Sequence, residues 1–366
     1  MEVLDVGKAI PSYRMLELAV FDENIVYVFM RNAKRFYINI RAETLEGQGA
    51  LLSDFKKFRD GIDDPDTLFQ FEDWVLDALD DFMCRAAPTP APGSRKSLTL
   101  LEYFSAPTFA FQVVNQDEKL FPIQEEYDPE LHGRLGPRTQ IVNSLPNPDK
   151  RCRSSSTCSS HTIRPHWGEH VILRSALPNV PLIPASDLER VDDGLHDEES
   201  SDIPKKVRHI KTGEVFFFKP GFRDHGHLRE LDILSKIDRS GQFQPPFLTS
   251  RLVGLVVWGA NDHSLMGFLE GYIEGDTLSW RMEEASLATK TKWFHQIEAT
   301  MKQLHQTGIV WGDAKLDSVI INPAGDAVVV DFGGGYTPEY IEPELQQTIQ
   351  GDLMTLEKMA AELGII

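Results

Sequence analysis

The chain is poor in the features that would place it outside a reducing compartment. Cys84, Cys152 and Cys158 are the only cysteines in 366 residues, too few for a disulfide framework. Long hydrophobic runs are missing too: Leu252 to Trp258 is among the longest, and a membrane span needs about 20 residues. Met1 to Met15 is interrupted by acids and Pro11, so it lacks the apolar stretch of a signal peptide. Positive charge is scarce, with 37 Lys and Arg against 56 Asp and Glu and a formal net charge of -19, which argues against nucleic acid or an anionic membrane as partner. An intracellular protein, cytoplasmic or nuclear, is the expectation. What remains is 41% hydrophobic and 25% charged, the composition of a globular chain long enough for two cores.

The alternation in Asn24 to Met30 and Arg35 to Ile40 predicts a strand pair turning at 31–34. Leu68, Phe71, Val75, Leu79 and Phe82 recur at helical spacing and predict an amphipathic helix over 68–83. Pro88, Pro90, Pro92 and Gly93 break it, and 98–114 is expected to resume as extended structure. An α+β region over 1–115 with no evident chemistry follows. Residues 116–180 are rich in Pro, Ser and charge and read as an exposed or mobile connection. Cys152, Cys158, His161, His166 and His170 lie close together there, yet lack the C-x2-C pairing of structural zinc modules, and they read as unrelated residues.

From Val207 the pattern sharpens. VRHI, Lys-Thr-Gly-Glu and VFFFK predict a hairpin turning at Gly213 and ending on Lys219. A helix over 227–237 carries Glu230, and strands are expected over 248–258 and 264–273. A helix over 288–305, capped by Gly308, leads into Ile309 to Gly335, IVWGDAKLDSVIINPAGDAVVVDFGGG. There Asp313 and Asp331 stand at the ends of short apolar segments joined by a hairpin, and buried carboxylates need a partner or a metal. Either aspartate alone would read as a turn cap; their joint placement with Lys219 and Glu230 is the specific signal. A last amphipathic helix is expected over 351–363.

Lys219, Glu230, the WGDAKLDS loop and the Asp331-Phe332-Gly333 turn resemble a eukaryotic-type protein kinase domain, in wording nearest to fungal kinase-like proteins with a WGDAK loop and a DFGGG turn. The resemblance covers roughly 181–366 and implies a bilobal fold, a β-rich lobe at about 181–273 and a compact helical lobe at about 274–366. It implies ATP and Mg2+ as cofactors, Asp313 as the base, Lys315 as the transfer-loop lysine, and Asp331 as the main metal ligand with Gly333 beside it. Lys219 would contact the α and β phosphates and pair with Glu230. The chain departs from that pattern at Trp311-Gly312, where the family has His-Arg, and at Ser318, where it has the second metal-binding Asn. No G-x-G-x-x-G precedes Lys219, where Gly194 lies among acids, and a dozen residues separate Asp331 from Pro343-Glu344. The resemblance thus implies an ATP-dependent phosphotransferase, most nearly a protein Ser/Thr kinase weakened by Ser318. A pseudokinase serving as a binding or scaffold module stays open, as does a small-molecule kinase of the aminoglycoside phosphotransferase type. The acceptor, protein or small hydroxyl compound, is left undetermined.

Overall fold

The computed structural model describes residues 13–47, 49–88, 97–128, 139–142, 170–191, 205–221, 226–259, 262–335, 337 and 340–366. It is a mixed α+β chain in two units, one comprising residues 1–135 and 189–204, the other 136–188 and 205–366.

The first unit holds a five-stranded sheet in the order β1 (Arg14–Val20), β2 (Asn24–Arg31), β3 (Lys34–Arg41), β4 (Thr108–Gln116), β5 (Lys119–Glu125). All neighbours are antiparallel except β3 and β4, whose parallel pairing requires a crossover. Helices α1 (Leu51–Gly61), α2 (Pro65–Ala86) and α3 (Leu100–Phe104) lie in that connection. The start of α2 is fixed by Asp64, whose carboxylate accepts the Thr67 N–H at 2.9 Å, with Pro65 as the first helical residue. Its buried face, Phe71, Val75, Leu79 and Met83, joins Tyr27, Phe29, Phe36 and Phe55 in one core. Two turns place non-glycine residues at positive φ, Asn32-Ala33 at 46° and 59° and Asp117-Glu118 at 52° and 64°. Such residues cost about 1–2 kcal/mol each, comparable to the ~1.5–3 kcal/mol that one buried Phe contributes, so the aromatic core decides the register.

Three expectations are revised here. The strand pair is a triplet, because Arg14–Val20 also joins β2. Part of 98–114 is helical: in α3 Thr99 and Glu102 form a reciprocal capping box. The stretch 116–180, expected as a connection, contains β5 as well as β6 (Thr139–Val142) and β7 (His170–Leu173). In β5, Pro122 is tolerated because this is an edge strand, where a missing N–H breaks few ladder bonds. Cys152, Cys158, His161, His166 and Gly194 fall outside the described residues. Among the described residues no group of three or more His, Cys, Asp or Glu could hold a metal, and no helix is long and apolar enough to cross a membrane.

In the second unit the sheet follows the order β7-β6-β13-β11-β10, where β10 is Lys206–His209, β11 Val215–Pro220 and β13 Asp262–Gly271. Strand β12 (Leu252–Gly259) pairs with β13 and with the short β8 (Leu182–Pro184), and β9 (Leu188–Arg190) lies at the chain boundary between the units. Helix α4 (Gly226–Ser240) buries Leu231, Leu234 and Ile237. After β14 (Asp276–Thr277) and α5 (Leu278–Arg281), helix α6 (Leu287–Gln306) buries Trp293, Ile297, Met301 and Leu304, and Gly308 ends it at φ 74°. A small sheet of β14, β15 (Val319–Ile321) and β16 (Ala327–Val329) follows, then α7 (Ile349–Glu362). One continuous core runs through the unit, from Leu255 and Phe268 to Trp311, Val329 and Met359.

Candidate functional site around Lys219, Asp313 and Asp331

Strand β11 delivers the first group. Phe218 faces the core, and the alternation sends Lys219 to the other side. Opposite this strand end stands Gly267 of β13, where a Cβ would overlap the Lys219 carbonyl oxygen, so only glycine permits the approach. Lys219 Nζ donates to Glu230 Oε1 at 2.6 Å and to Asp331 Oδ1 at 3.1 Å, and it lies 3.6 Å from Glu270 Oε1. Glu230 and Glu270 are 3% and 4% exposed, Asp331 is 45% exposed. The same Glu230 oxygen accepts the Phe332 N–H at 3.0 Å, tying α4 to the acidic turn.

Three carboxylates thus share one ammonium. Burial pushes Glu230 up to about 7 against the pull of Lys219, and burial raises Glu270 as well. For Lys219 burial works against the charge, but Glu270, Glu230 and Asp331 together outweigh it and hold the ammonium above its usual range. The half-exposed Asp331 is the open side of this cluster.

The second group is built on the loop before β15. Lys315 Nζ donates to Asp313 Oδ2 at 2.8 Å, and the Thr337 hydroxyl donates to Oδ1 at 3.2 Å. Trp311 is fully buried, with its indole N–H on the Val330 carbonyl at 3.0 Å. Below it Asp352, 2% exposed in the first turn of α7, accepts the Trp311 and Gly312 N–H groups at 2.8 Å each and meets His305 Nε2 at 2.8 Å. A helix N-terminus favours that carboxylate. The β15–β16 register, Val319 with Val329 to Ile321 with Ala327, fixes the spacing between the two acidic segments.

Lys219, Glu230 and Asp331 are therefore brought together, and Gly333 lies beside them, its direction for a Cβ ending 3.6 Å from Asp331 Oδ1 and 3.7 Å from Glu230 Oε2. Asp313 and Lys315 pair with each other. Ser318 is 1% exposed; its backbone joins the hairpin through the Val330 N–H, and its hydroxyl has no hydrogen-bond partner among the described residues. Sequence reasoning missed Glu270, Asp352 and Arg229. Glu270 interrupts the apolar run MGFLEGYI, which is the one signal it carries; Asp352 carries none. Arg229 donates to the carbonyls of Val310, Trp311 and Phe332.

No family model matches the chain. An alignment 148 positions long, covering 35% of the chain, is 26% identical to protein kinase kin1 of Schizosaccharomyces pombe and spans 16% of that protein's length. The chain is to that extent kinase-like.

Proposed function

We propose that residues 181–366 form a bilobal protein kinase-like domain that transfers phosphate from ATP, with a protein hydroxyl as the acceptor. The observation that carries this reading is the convergence of Lys219, Glu230 and Asp331 from a strand, a helix and a turn at 2.6 and 3.1 Å. Phosphoryl transfer asks the protein for positioning and charge more than for covalent chemistry. Lys219, oriented by Glu230, would hold the nucleotide phosphates. Asp313, steadied by Lys315 and Thr337, would accept the proton of the attacking hydroxyl. Lys315, two residues after Asp313, favours a protein acceptor over a small hydroxyl compound.

The donor set fits magnesium in one respect. This ion is commonly held by one or two carboxylates together with substrate phosphates and water, and it needs no cage of protein ligands. Asp331 is a half-exposed carboxylate of that kind, and the Ser318 hydroxyl, without a partner among the described residues, would contribute through water. Bound magnesium would neutralise charge on the transferred phosphate. With Lys219 already shared among three carboxylates, nucleotide binding should depend on it strongly.

Magnesium and ATP together, at 100 times the dissociation constant, are expected to add about 2.7 kcal/mol to the unfolding free energy. ATP without magnesium should add far less, and Asp331→Ala should remove the effect. Urea titrations of the three samples check this; equal midpoints with and without Mg-ATP would leave the reading without support. Ser318 in place of an amide motivates a second reading, a binding module that retains the arrangement without efficient transfer. Binding without turnover is its signature.

A further inference from the structure

The Trp311 and Phe332 peptides, one just before Gly312-Asp313 and one just after Asp331, are each held at both ends. The N–H of Trp311 goes to Asp352 and that of Phe332 to Glu230. Both carbonyls go to one guanidinium: Arg229 Nη1 donates to Trp311 O at 3.0 Å and also to Phe332 O, while Nη2 donates to Val310 O at 2.8 Å. Space for this group exists because two residues lack side chains. A Cβ at Gly312, whose φ is 88°, would stand 2.5 Å from Nη2, and one at Gly334 would stand 3.2 Å from the Arg229 Cδ.

We infer that Arg229 is a positioning residue: a latch by which helix α4 fixes the Asp313 loop and the Asp331 turn in register with the Lys219–Glu230 pair. The planar guanidinium matters, since its fork reaches carbonyls on two segments at once, whereas a lysine ammonium is a single point. Three of the five guanidinium N–H donors are engaged on these backbone carbonyls. The site is then assembled by the chain's own helix.

The latch itself is independent of the reading of function; only its kinetic consequence rests on phosphotransfer. Amide hydrogen exchange on the full chain tests the latch directly. In Arg229→Ala the Phe332 amide is expected to exchange at least about tenfold faster, the factor that one charge-assisted hydrogen bond is worth. The amides of helix α6 should keep their wild-type rates. Added guanidinium ion at millimolar concentration should restore protection at Phe332. Arg229→Lys, measured the same way, should be intermediate, and it carries the test if the alanine variant does not fold. Unchanged exchange at Phe332, or equal acceleration throughout the unit, would overturn the latch. In the kinetic arm, Arg229→Ala should lower kcat for phosphate transfer about tenfold or more while the KM for ATP changes less than about threefold. If the wild-type chain transfers no phosphate, the phosphotransfer reading fails and the exchange result alone decides the latch.

Discussion

Replacing Lys219 with Met is expected to cost about 3–5 kcal/mol of unfolding free energy at pH 7.5, and distinctly less at pH 5. The substitution keeps the length of the side chain and removes the ammonium that Glu230, Glu270 and Asp331 share. The two glutamates are almost wholly buried, so water cannot take the lysine's place. They respond by holding protons. Burial already raises both, and Glu230 to about 7 with the lysine present; without it both rise further. A carboxyl whose folded pKa exceeds its unfolded value binds more protons in the native state, so stability falls as pH rises from the unfolded value through the folded one. At pH 5 the variant keeps its carboxyls neutral and much of the penalty disappears. Urea midpoints of wild type and variant at the two pH values measure the gap. A gap that stayed the same at pH 5 and 7.5 would show that the carboxylates are not held by this ammonium.

Asp352→Ala should be of similar size, about 3–5 kcal/mol, with a different origin. Its carboxylate, 2% exposed, accepts two buried backbone N–H groups and meets the partly exposed His305, all at 2.8 Å. Alanine leaves both N–H groups buried without acceptors. Asparagine keeps one oxygen and turns an NH2 toward the other N–H, so Asp352→Asn should cost about 1–3 kcal/mol. Because those N–H groups belong to Trp311 and Gly312, transfer should slow in both variants through displacement of Asp313. Thermal or urea denaturation of the pair gives the comparison. A loss below about 1 kcal/mol in Asp352→Ala would mean that another group carries the loop.

The periodic parts of the fold were legible because they are written in local chemistry. Gly213 marks its hairpin, Gly308 ends its helix, and the apolar stripes of α2, α4, α6 and α7 predict those helices to within a few residues. The β4–β5 hairpin was not, since Asp117-Glu118 adopts a turn that Asn-Gly usually announces. The capping box Thr-Leu-Leu-Glu at 99–102 was present as a signal for α3, but the aromatic residues after it also suit a strand. In the site, Lys219, Glu230, Asp313 and Asp331 are singled out by their resemblance to protein kinase motifs. Glu270, Asp352 and Arg229 are not, because what makes each of them matter lies 40 or more residues away, as in the 41 positions between Trp311 and Asp352. A charge inside an apolar run, as at Glu270, says that a partner exists and does not say which.

The most direct test of the central claim is transfer of labelled γ-phosphate from Mg-ATP by the full chain, offered both peptides bearing hydroxyl side chains and small hydroxyl compounds. Asp313→Ala and Asp331→Ala, each shown to be folded, are assayed beside it. The expected result is label on the peptides with wild type, a rate at least about 10²-fold lower in Asp313→Ala, and none detectable in Asp331→Ala. No transfer by wild type to either acceptor class, or equal rates in all three proteins, would contradict the assignment of these residues to phosphoryl transfer.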